Sequence, residues 1–326
     1  MAIITYHASH EQFAPSHLVK LAIQAEQAGF GAIHSSDHFH PWSKRQGHSG
    51  FSFAWMGAAM QATTVPFSMV CAPGQRYHPA IAAQAIATLA EMFPGRFSIE
   101  LGSGEALNEN ITGDKWPLKA ERNARLLECV NIIRKLLNGE TVTHRGRVTV
   151  TAATLYTRPT VKPLLMAAAL SEATAAWAGS WADGLITTNT DIEKLTRIKD
   201  AFYNGGGENK PLFLQVALSY AATDKKAIEA AHDQWRNNVV DPDLLADLSL
   251  PDQFDHAARN IKHEDMREKI LVSANMQYYI DQIGNYIDQG FERIILHNVN
   301  KNQEQFIADF GEQLIPIFSN DKKQVI

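Results

Sequence analysis

Two short stretches of this sequence concentrate side chains that can exchange protons or line a ligand site. They are Asp37-His38-Phe39-His40-Pro41-Trp42 and Gly102-Ser103-Gly104-Glu105, and each follows an apolar run that is typical of a buried strand. An imidazole titrates near neutral pH, so His38 is a candidate general base, and Glu105 is a candidate acid. Such groups at strand ends cost desolvation energy unless they are paired or used. The two stretches therefore predict one shared site.

Each of these side chains also has a purely structural interpretation. His38 can be a hydrogen-bonded support residue, Glu105 can be a carboxylate that favours a helix start, and Trp42 can simply pack. Gly104 allows close approach of the backbone to a ligand, although an isolated Gly-x-Gly is a weak signal. We take His38, Trp42 and Glu105 as the catalytic candidates, because one shared site explains the polar residues around them more simply than separate structural roles do.

Strand-like apolar runs alternate with amphipathic helical segments along the whole chain. Eight such alternations, without a GxGxxG motif after the first strand, predict an α/β fold of the (β/α)8 TIM-barrel type rather than an open doubly wound sheet. Loops that follow the strands would then form one mouth, where both stretches meet. The predicted strands are Ala2–Tyr6, Ala32–Ser36, Phe67–Ala72, Phe97–Leu101, Leu164–Ala168, Gly184–Thr188, Leu212–Leu218 and Arg293–His297.

Two segments are longer than ordinary loops and are predicted insertions after the fourth and seventh strands. Glu140–Pro159 alternates Val and Thr, which predicts a β-hairpin. Ala222–Lys269 is polar with helical character and is expected to cover the barrel mouth. We expect a single domain over residues 1–326 that carries both insertions.

Composition limits the classes of partner. The net charge of −5 argues against nucleic acid, and no apolar run of membrane-spanning length occurs. The N-terminus lacks the features of a signal peptide, and Cys71 and Cys129 lack metal-ligand spacing. We therefore expect a cytoplasmic protein whose partner is a small molecule.

The combination of Ser36-Asp37-His38-Phe39 with Gly104-Glu105-Ala106-Leu107-Asn108-Glu109 is specific. It resembles the luciferase-like flavin/deazaflavin oxidoreductases, in particular the F420-dependent glucose-6-phosphate dehydrogenase branch. The similarity runs over most of the chain and implies a homodimer of (β/α)8 barrels with a flavin-like tricycle at each mouth. Further matching positions are Glu11-Gln12-Phe13-Ala14-Pro15, Arg76-Tyr77, Trp116-Pro117, Ala182-Asp183-Gly184 and His297.

This resemblance implies a role for each matching residue. His38 would remove the alcohol proton as hydride leaves the adjacent carbon, with Trp42 and Glu105 beside the reacting centre and Glu105 as proton donor to the cofactor. The resemblance also implies a non-prolyl cis peptide at Met69-Val70. The implied cofactor-binding positions are Asp37, Met69, Val70, Ala72, Gly104, Asn108, Ala168, Ala169 and Thr188.

Departures from the dehydrogenase branch bear on substrate and cofactor. The turn Ala-Ala-Gly-Gly-Pro after the fifth strand is here Ala167-Ala168-Ala169-Leu170-Ser171, and the lysine expected after the sixth strand is replaced by Asn189-Thr190-Asp191. A phosphate needs charge-assisted donors, so glucose-6-phosphate is not the expected substrate. We expect FMN, with monooxygenase or dehydrogenase chemistry. The alternative is an F420-dependent dehydrogenase of a non-phosphorylated alcohol or sugar.

Two hypotheses from other classes remain open at this point. His38 and His40 alternate along the chain, so both rings could face one metal ion in a metal-dependent TIM-barrel hydrolase. The later strands end in Ala167-Ala168 and Thr187-Thr188, which are poor ligands. The second hypothesis is a flavin-binding protein without turnover, against which the presence of both His38 and Glu105 argues.

Overall fold

Nine parallel strands form one sheet, and eight of them close it into a barrel. The computed structural model describes residues 2–319, except for the side chains at positions 242, 243 and 319. The strand order is β10-β9-β11-β1-β2-β3-β4-β7-β8, and pairing of β8 with β9 closes the ring. The strands are β1 Ile3–Ala8, β2 Ala32–Ser35, β3 Phe67–Cys71, β4 Phe97–Leu101, β5 Val142–Arg145, β6 Thr149–Ala153, β7 Leu165–Ala168, β8 Leu185–Thr188, β9 Leu212–Tyr220, β10 Leu271–Ser273 and β11 Arg293–Asn298.

Helices surround the barrel and bury its outer face. The helices are α1 Pro15–Gln27, α2 Ser52–Gln61, α3 Pro79–Met92, α4 Ala106–Glu109, α5 Lys119–Leu137, α6 Glu172–Gly179, α7 Ile192–Phe202, α8 Asp224–Trp235, α9 Pro242–Leu245, α10 Pro251–Ala257, α11 Met276–Asp288, α12 Gln303–Gln313 and α13 Ile315–Ser319. None of the described helices is both long enough and apolar enough to cross a membrane. The predicted (β/α)8 TIM barrel is confirmed.

Both predicted insertions are present. The strands β5 and β6 pair as an antiparallel hairpin between the fourth and fifth barrel strands. After α8, the second insertion contains α9, α10 and short 3₁₀ turns. It leads into β10, a three-residue strand that pairs with the carboxyl half of β9 and that the sequence pattern did not reveal. Its brevity explains the omission, because three residues show no periodicity.

The two faces of the barrel strands have different surroundings. On β3, Phe67, Met69 and Cys71 lie in the main apolar core with the helices. One side of the barrel interior is apolar, with Met166, Ile186, Phe213 and Ile295 in contact. The opposite side is polar and contains the buried residues His7, His34, Ser68, Glu100 and Arg293. Barrel interiors are normally filled by branched apolar side chains, so this polar half is unusual.

The cis peptide expected at Met69-Val70 is wrong. No cis peptide bond occurs in the described part of the chain, so the bond is trans. Both residues lie in β3, whose regular parallel pairing to β4 passes through Met69 and Val70. Regular hydrogen-bonded pairing of this kind is what a trans peptide bond between the two residues allows.

We predict that Gly205→Ala destabilises the fold. A Cβ atom at Gly205 would collide with the carbonyl oxygen of Ala176 in α6, and backbone cannot move aside as a flexible side chain can. Overpacking of this kind costs about 1–3 kcal/mol of the free energy of unfolding, measurable by urea denaturation. Gly57→Ala is the matched control, because nothing lies within 4 Å of its added Cβ in α2. The control should stabilise by roughly 0.5–1 kcal/mol. Equal effects at the two positions would contradict the close approach of the backbones.

Candidate functional site

The loops after β2 and β4 meet at the carboxyl end of the barrel. Asn108, in the short helix α4, joins them: its Oδ1 accepts from the backbone N–H of Phe39 at 2.9 Å and of His40 at 3.5 Å. Its Nδ2 lies 3.2 Å from Nδ1 of His38. The two predicted stretches therefore form one site, as the strand-end positions indicated. The expected contact of Asn108 with the cofactor remains a prediction, and within the protein its amide organises the loop that carries His38.

The hydrogen bonds of Asn108 also determine the tautomer of His38. Because Oδ1 accepts from two backbone N–H groups, Nδ2 is the atom that faces the ring and donates to its Nδ1. In the neutral ring, Nε2 then carries the hydrogen and faces Oε1 of Glu11 at 3.6 Å. The ring lies 4.8 Å from that of Trp42, between centroids, and the His38 side chain is 14% exposed. His38 is thus oriented on both nitrogens and still accessible.

Glu11 is the functional residue that sequence reasoning left without a role. It follows β1 and is buried, and its Oε2 accepts from the hydroxyls of Ser9 at 2.8 Å and Ser36 at 3.0 Å. Burial raises the pKa of Glu11, but the attraction of His38 and these hydrogen bonds together lower it below the ordinary value. The carboxylate stays charged and can stabilise a protonated His38. The signal was available, because Glu11 follows a barrel strand as His38 and Glu105 do.

Glu105 is a half-buried carboxyl whose pKa is raised, whereas that of Glu11 is lowered. Burial is the main cause that raises its pKa, and the nearby Glu11 and Glu109 raise it further, while His38 and Lys119 act in the other direction. Glu105 occupies the residue before α4, yet its side chain makes no capping hydrogen bond. The structural alternative of a helix-start carboxylate therefore lacks its expected contact. A carboxyl that retains its proton more readily than usual is suited to act as an acid.

Asp37 lies behind the site in a network of charged groups. Its Oδ2 accepts from Arg76 at 2.9 Å and its Oδ1 from the Tyr77 hydroxyl at 3.1 Å, and the side chain is 1% exposed. Arg76 also pairs with Glu109 at 3.4 Å. These contacts hold the β2 loop against the segment after β3. The predicted contact of Asp37 with a cofactor remains a prediction, since both carboxylate oxygens already have protein partners.

Small side chains form the accessible surface at the strand ends. Val70, Ala72, Gly104 and Ala168 are half-buried there, and Thr188 is exposed. Gly104 has a φ of +80°, and a Cβ on it would lie 2.9 Å from Cγ of Glu109 and 3.3 Å from Cβ of Ala72. Small side chains at these positions allow a ligand to come close to the strand ends.

Two of the predicted cofactor-binding residues are placed differently. Met69 and Ala169 are almost fully buried in the main apolar core. Their side chains pack away from the mouth, so a contact to a cofactor would involve their backbone only. Periodicity in a strand places alternate side chains on opposite faces, which explains why Met69 and Val70 differ.

The second insertion packs on the tryptophan of the site. The Trp42 ring lies 5.3 Å from that of Phe254 in α10, between centroids, and Leu107 completes this small apolar cluster. The Ser43 hydroxyl donates to Asp255 at 2.7 Å, and the backbone N–H of Ala106 donates to the carbonyl of Ala246 at 3.1 Å. The insertion thus covers both site loops and gives this side of the mouth an apolar wall.

The geometry gives no support to the metal-dependent hydrolase. Nδ1 of His40 lies 2.9 Å from the carbonyl oxygen of Leu107, so this ring is engaged with the backbone. Within residues 2–319, no group of three or more His, Cys, Asp or Glu side chains has an arrangement that could hold a metal ion. His38 and His40 therefore do not form the pair that this hypothesis requires.

We predict that Glu105→Gln increasingly stabilises the ligand-free protein as the pH rises. The raised pKa means that folded Glu105 keeps its proton above the ordinary value of 4.5, where the unfolded chain has lost it. Wild-type stability therefore falls with rising pH in this window, whereas Gln does not titrate. Thermal unfolding from acidic to neutral pH measures the difference. Glu91→Gln, at an exposed position, is the control for removal of a surface carboxyl. A constant difference for Glu105→Gln would contradict the raised pKa.

Known proteins resemble this chain over most of its length. Residues 3–293 match the family model described as Luciferase-like monooxygenase. The chain is 34% identical over 322 residues to the F420-dependent glucose-6-phosphate dehydrogenase of Nakamurella multipartita, covering 95% of each chain. It is 33% identical to the enzyme of the same name from Microbacterium testaceum, covering 95% of this chain and 96% of the relative.

A solved structure extends the comparison to three dimensions. The F420-dependent secondary alcohol dehydrogenase in complex with an F420–acetone adduct superimposes with a TM-score of 0.88 and 29% identity, over 96% of this chain and 98% of that one. The chain therefore belongs to the luciferase-like monooxygenase family and is a flavin- or deazaflavin-dependent oxidoreductase, which confirms the resemblance and the class of function predicted from the sequence.

Proposed function

We propose that this protein is a dehydrogenase that oxidises a small, neutral alcohol by hydride transfer to a flavin-type tricycle at the barrel mouth. The observation that carries the proposal is the presence of an oriented imidazole and of a carboxyl with a raised pKa on neighbouring loops. His38 is held between a charged Glu11 and Asn108, while Glu105 has a raised pKa. An imidazole oriented by a carboxylate, together with a carboxyl that retains its proton, is typical of an acid–base pair.

The chain's own residues divide the proton chemistry between them. In neutral His38 the lone pair lies on Nδ1, where it accepts from the Asn108 amide, so the ring takes up the hydroxyl proton of the substrate there after the substrate hydroxyl has displaced that amide. The Glu11 carboxylate stabilises the resulting imidazolium through Nε2. A bound tricycle would supply the hydride acceptor, and Glu105 would hold a proton for it. Trp42 and the insertion exclude water from one side of the reacting centre.

A non-phosphorylated substrate is supported by the residues that follow the sixth barrel strand. Where the dehydrogenase branch is expected to carry a lysine, Asn189 accepts from the backbone N–H of Ala217 at 2.9 Å, and Asp191 accepts from the N–H of Lys194 to cap α7. Neither residue offers a cationic donor for a phosphate. The apolar wall of Trp42 and Phe254 favours a small organic group. The name of the structural relative, a secondary alcohol dehydrogenase, supports this substrate class.

We propose FMN as the cofactor and F420 as the second candidate. The loop after β7 places Leu170 at the surface, 58% exposed, where the dehydrogenase branch has glycine, and Ser171 uses its hydroxyl to cap α6. This bulk disfavours the long side chain of F420 more than the shorter one of FMN. The names of the relatives favour F420.

Titration of the purified protein with each cofactor tests this choice. We expect FMN to bind more tightly than F420, and Leu170→Gly to improve F420 binding by about tenfold, or 1.4 kcal/mol. Leu164→Gly, before the amino end of the same strand, is the control and should leave both affinities unchanged. If the wild type binds F420 more tightly, the second candidate stands. If it binds neither, the proposed function fails.

We predict that His38→Asn lowers kcat by about 10²–10⁴-fold with the affinity for the cofactor largely unchanged, because loss of a general base removes this much catalysis. Steady-state kinetics with a series of small alcohols measures kcat, and cofactor absorbance measures binding. His144→Asn on the hairpin is the matched control. The His144 ring pairs with Glu128, and neither residue belongs to the site loops. Unchanged turnover in His38→Asn would exclude the base assignment. Oxygen consumption coupled to turnover would instead indicate a monooxygenase.

A further inference from the structure

A chain of ionisable side chains runs into the barrel beneath the site and has no part in the mechanism above. Nδ1 of His7, on β1, lies 2.8 Å from Nδ1 of His34, on β2. Nε2 of His34 lies 3.7 Å from Oε2 of Glu100, on β4. His34 and Glu100 are fully buried, whereas His7 is 3% exposed. The chain therefore leads from the mouth to the polar half of the barrel interior.

The inner end of this chain is isolated. Neither carboxylate oxygen of Glu100, nor Nε2 of His34, has a hydrogen-bond partner among the described residues. A buried carboxylate without donors is unfavourable unless it is paired or neutralised. The imidazole of His34 is the group that Glu100 faces across 3.7 Å.

The 2.8 Å contact between the two histidines allows two arrangements of hydrogen atoms, in which the 3.7 Å approach of Glu100 to His34 shortens to a hydrogen bond. In the first, Glu100 is a carboxylate, His34 directs Nε2–H to it, and His7 donates Nδ1–H to Nδ1 of His34. In the second, Glu100 is a neutral acid that donates to Nε2 of His34, which donates Nδ1–H to Nδ1 of His7, and His7 carries its hydrogen on Nε2. Both histidines are neutral in both arrangements. The second arrangement contains one additional proton.

We propose that His7, His34 and Glu100 form a relay that takes up one proton at the barrel mouth and stores it on Glu100. The proton binds to Nε2 of His7, the Nδ1 proton of His7 moves to Nδ1 of His34, and the Nε2 proton of His34 moves to the Glu100 carboxylate. Two N–H bonds form and two break, and one O–H bond forms. No charged imidazole is required at any point, which suits a buried site.

The surroundings of His7 disfavour storage of this proton as a positive charge on its ring. Burial lowers the pKa of His7 well below its ordinary value, and the neighbouring His297 and His34 lower it further. A positive charge on His7 itself is therefore disfavoured, and a proton that enters there is passed inward. The charged and titratable groups that face the relay are His10, His38 and His297 beside His7, Glu11 near His297, and Arg293 near Glu100.

The relay gives the protein a means to compensate negative charge at the mouth. The ring of His7 lies 4.1 Å from that of His297, between centroids. His297 lies near the carboxyl end of β11, at the rim of the barrel that carries the site loops. If the proposed function is right, an anionic cofactor above this rim raises the proton affinity of the relay. Cofactor binding is then linked to uptake of one proton, and that part of the inference depends on the proposed function.

Nitrogen-15 NMR of the histidine rings in the cofactor-free protein tests the relay independently of any cofactor, because the two tautomers of a neutral imidazole have distinct ring-nitrogen shifts. We expect His7 and His34 to exchange tautomers together, in one transition with a common midpoint as the pH is lowered. Glu100→Gln should abolish this transition, since an amide cannot store the proton. His144 on the hairpin is the internal control and should titrate identically in both proteins. Separate midpoints for His7 and His34, or a common transition that survives Glu100→Gln, would overturn the relay.

A second variant covers the case in which Glu100→Gln does not fold. Glu100→Asp keeps the carboxyl group at a longer distance, so the common transition should persist at a shifted midpoint. Independent titration of the two rings in Glu100→Asp would overturn the relay equally. Calorimetric titration with FMN in buffers of different ionisation enthalpy then measures proton uptake, which should fall by one proton per site from the wild type to the variant that lacks the relay. Failure of FMN to bind counts against FMN as the cofactor, whereas NMR alone decides the relay.

Discussion

Closure of the parallel sheet is the constraint on which the rest of the structure depends. Pairing of β8 with β9 joins the two ends of the strand order, so the carboxyl ends of all eight barrel strands face one mouth. Glu11, His38 and Glu105 follow β1, β2 and β4, which lie close together in the strand order, so residues far apart in the chain reach one another at this rim. Parallel pairing of β1 with β2 gives the imidazole its orienting carboxylate, and closure makes the rim a single mouth that the insertion covers.

Electrostatic interactions at the mouth then shift the pKa values of two carboxyl groups in opposite directions, although the sequence does not distinguish the two residues. Glu11 receives two hydroxyl donors and faces His38, so its pKa is lowered despite burial. Glu105 receives no comparable donors and has other acids nearby, so its pKa is raised. One acid therefore supports a base and the other retains a proton. This difference arises from the hydrogen-bond partners and not from the residue type.

The polar half of the barrel interior is the feature least expected from its fold class. Filling a barrel with apolar side chains would be more favourable than burying His34 and Glu100 without full hydrogen bonding. Such a cost is retained where the groups have a use, and the relay inferred above provides one. The opposite, apolar half, with Met166 and Ile295, supplies the ordinary packing.

The sequence by itself determined the fold class and the location of the chemistry. Apolar runs of strand length alternate with amphipathic helices, and polar clusters follow the second and fourth strands, so the barrel and the candidacy of His38 and Glu105 follow from local patterns. The short strand β10 was too brief for any periodicity to show. The cis peptide at Met69-Val70 was expected from the family resemblance alone, since no local sequence pattern encodes it, and the bond is trans.

Only the tertiary structure decided which groups touch. The roles of Glu11 and Asn108, the engagement of both Asp37 oxygens, and the chain from His7 to Glu100 all rest on contacts between different strands and loops. A sequence reports the spacing of residues along one strand, but not the register between strands that are closed into a ring. Interactions of a few ångströms across that ring set the pKa values and tautomers, and these are fixed by packing.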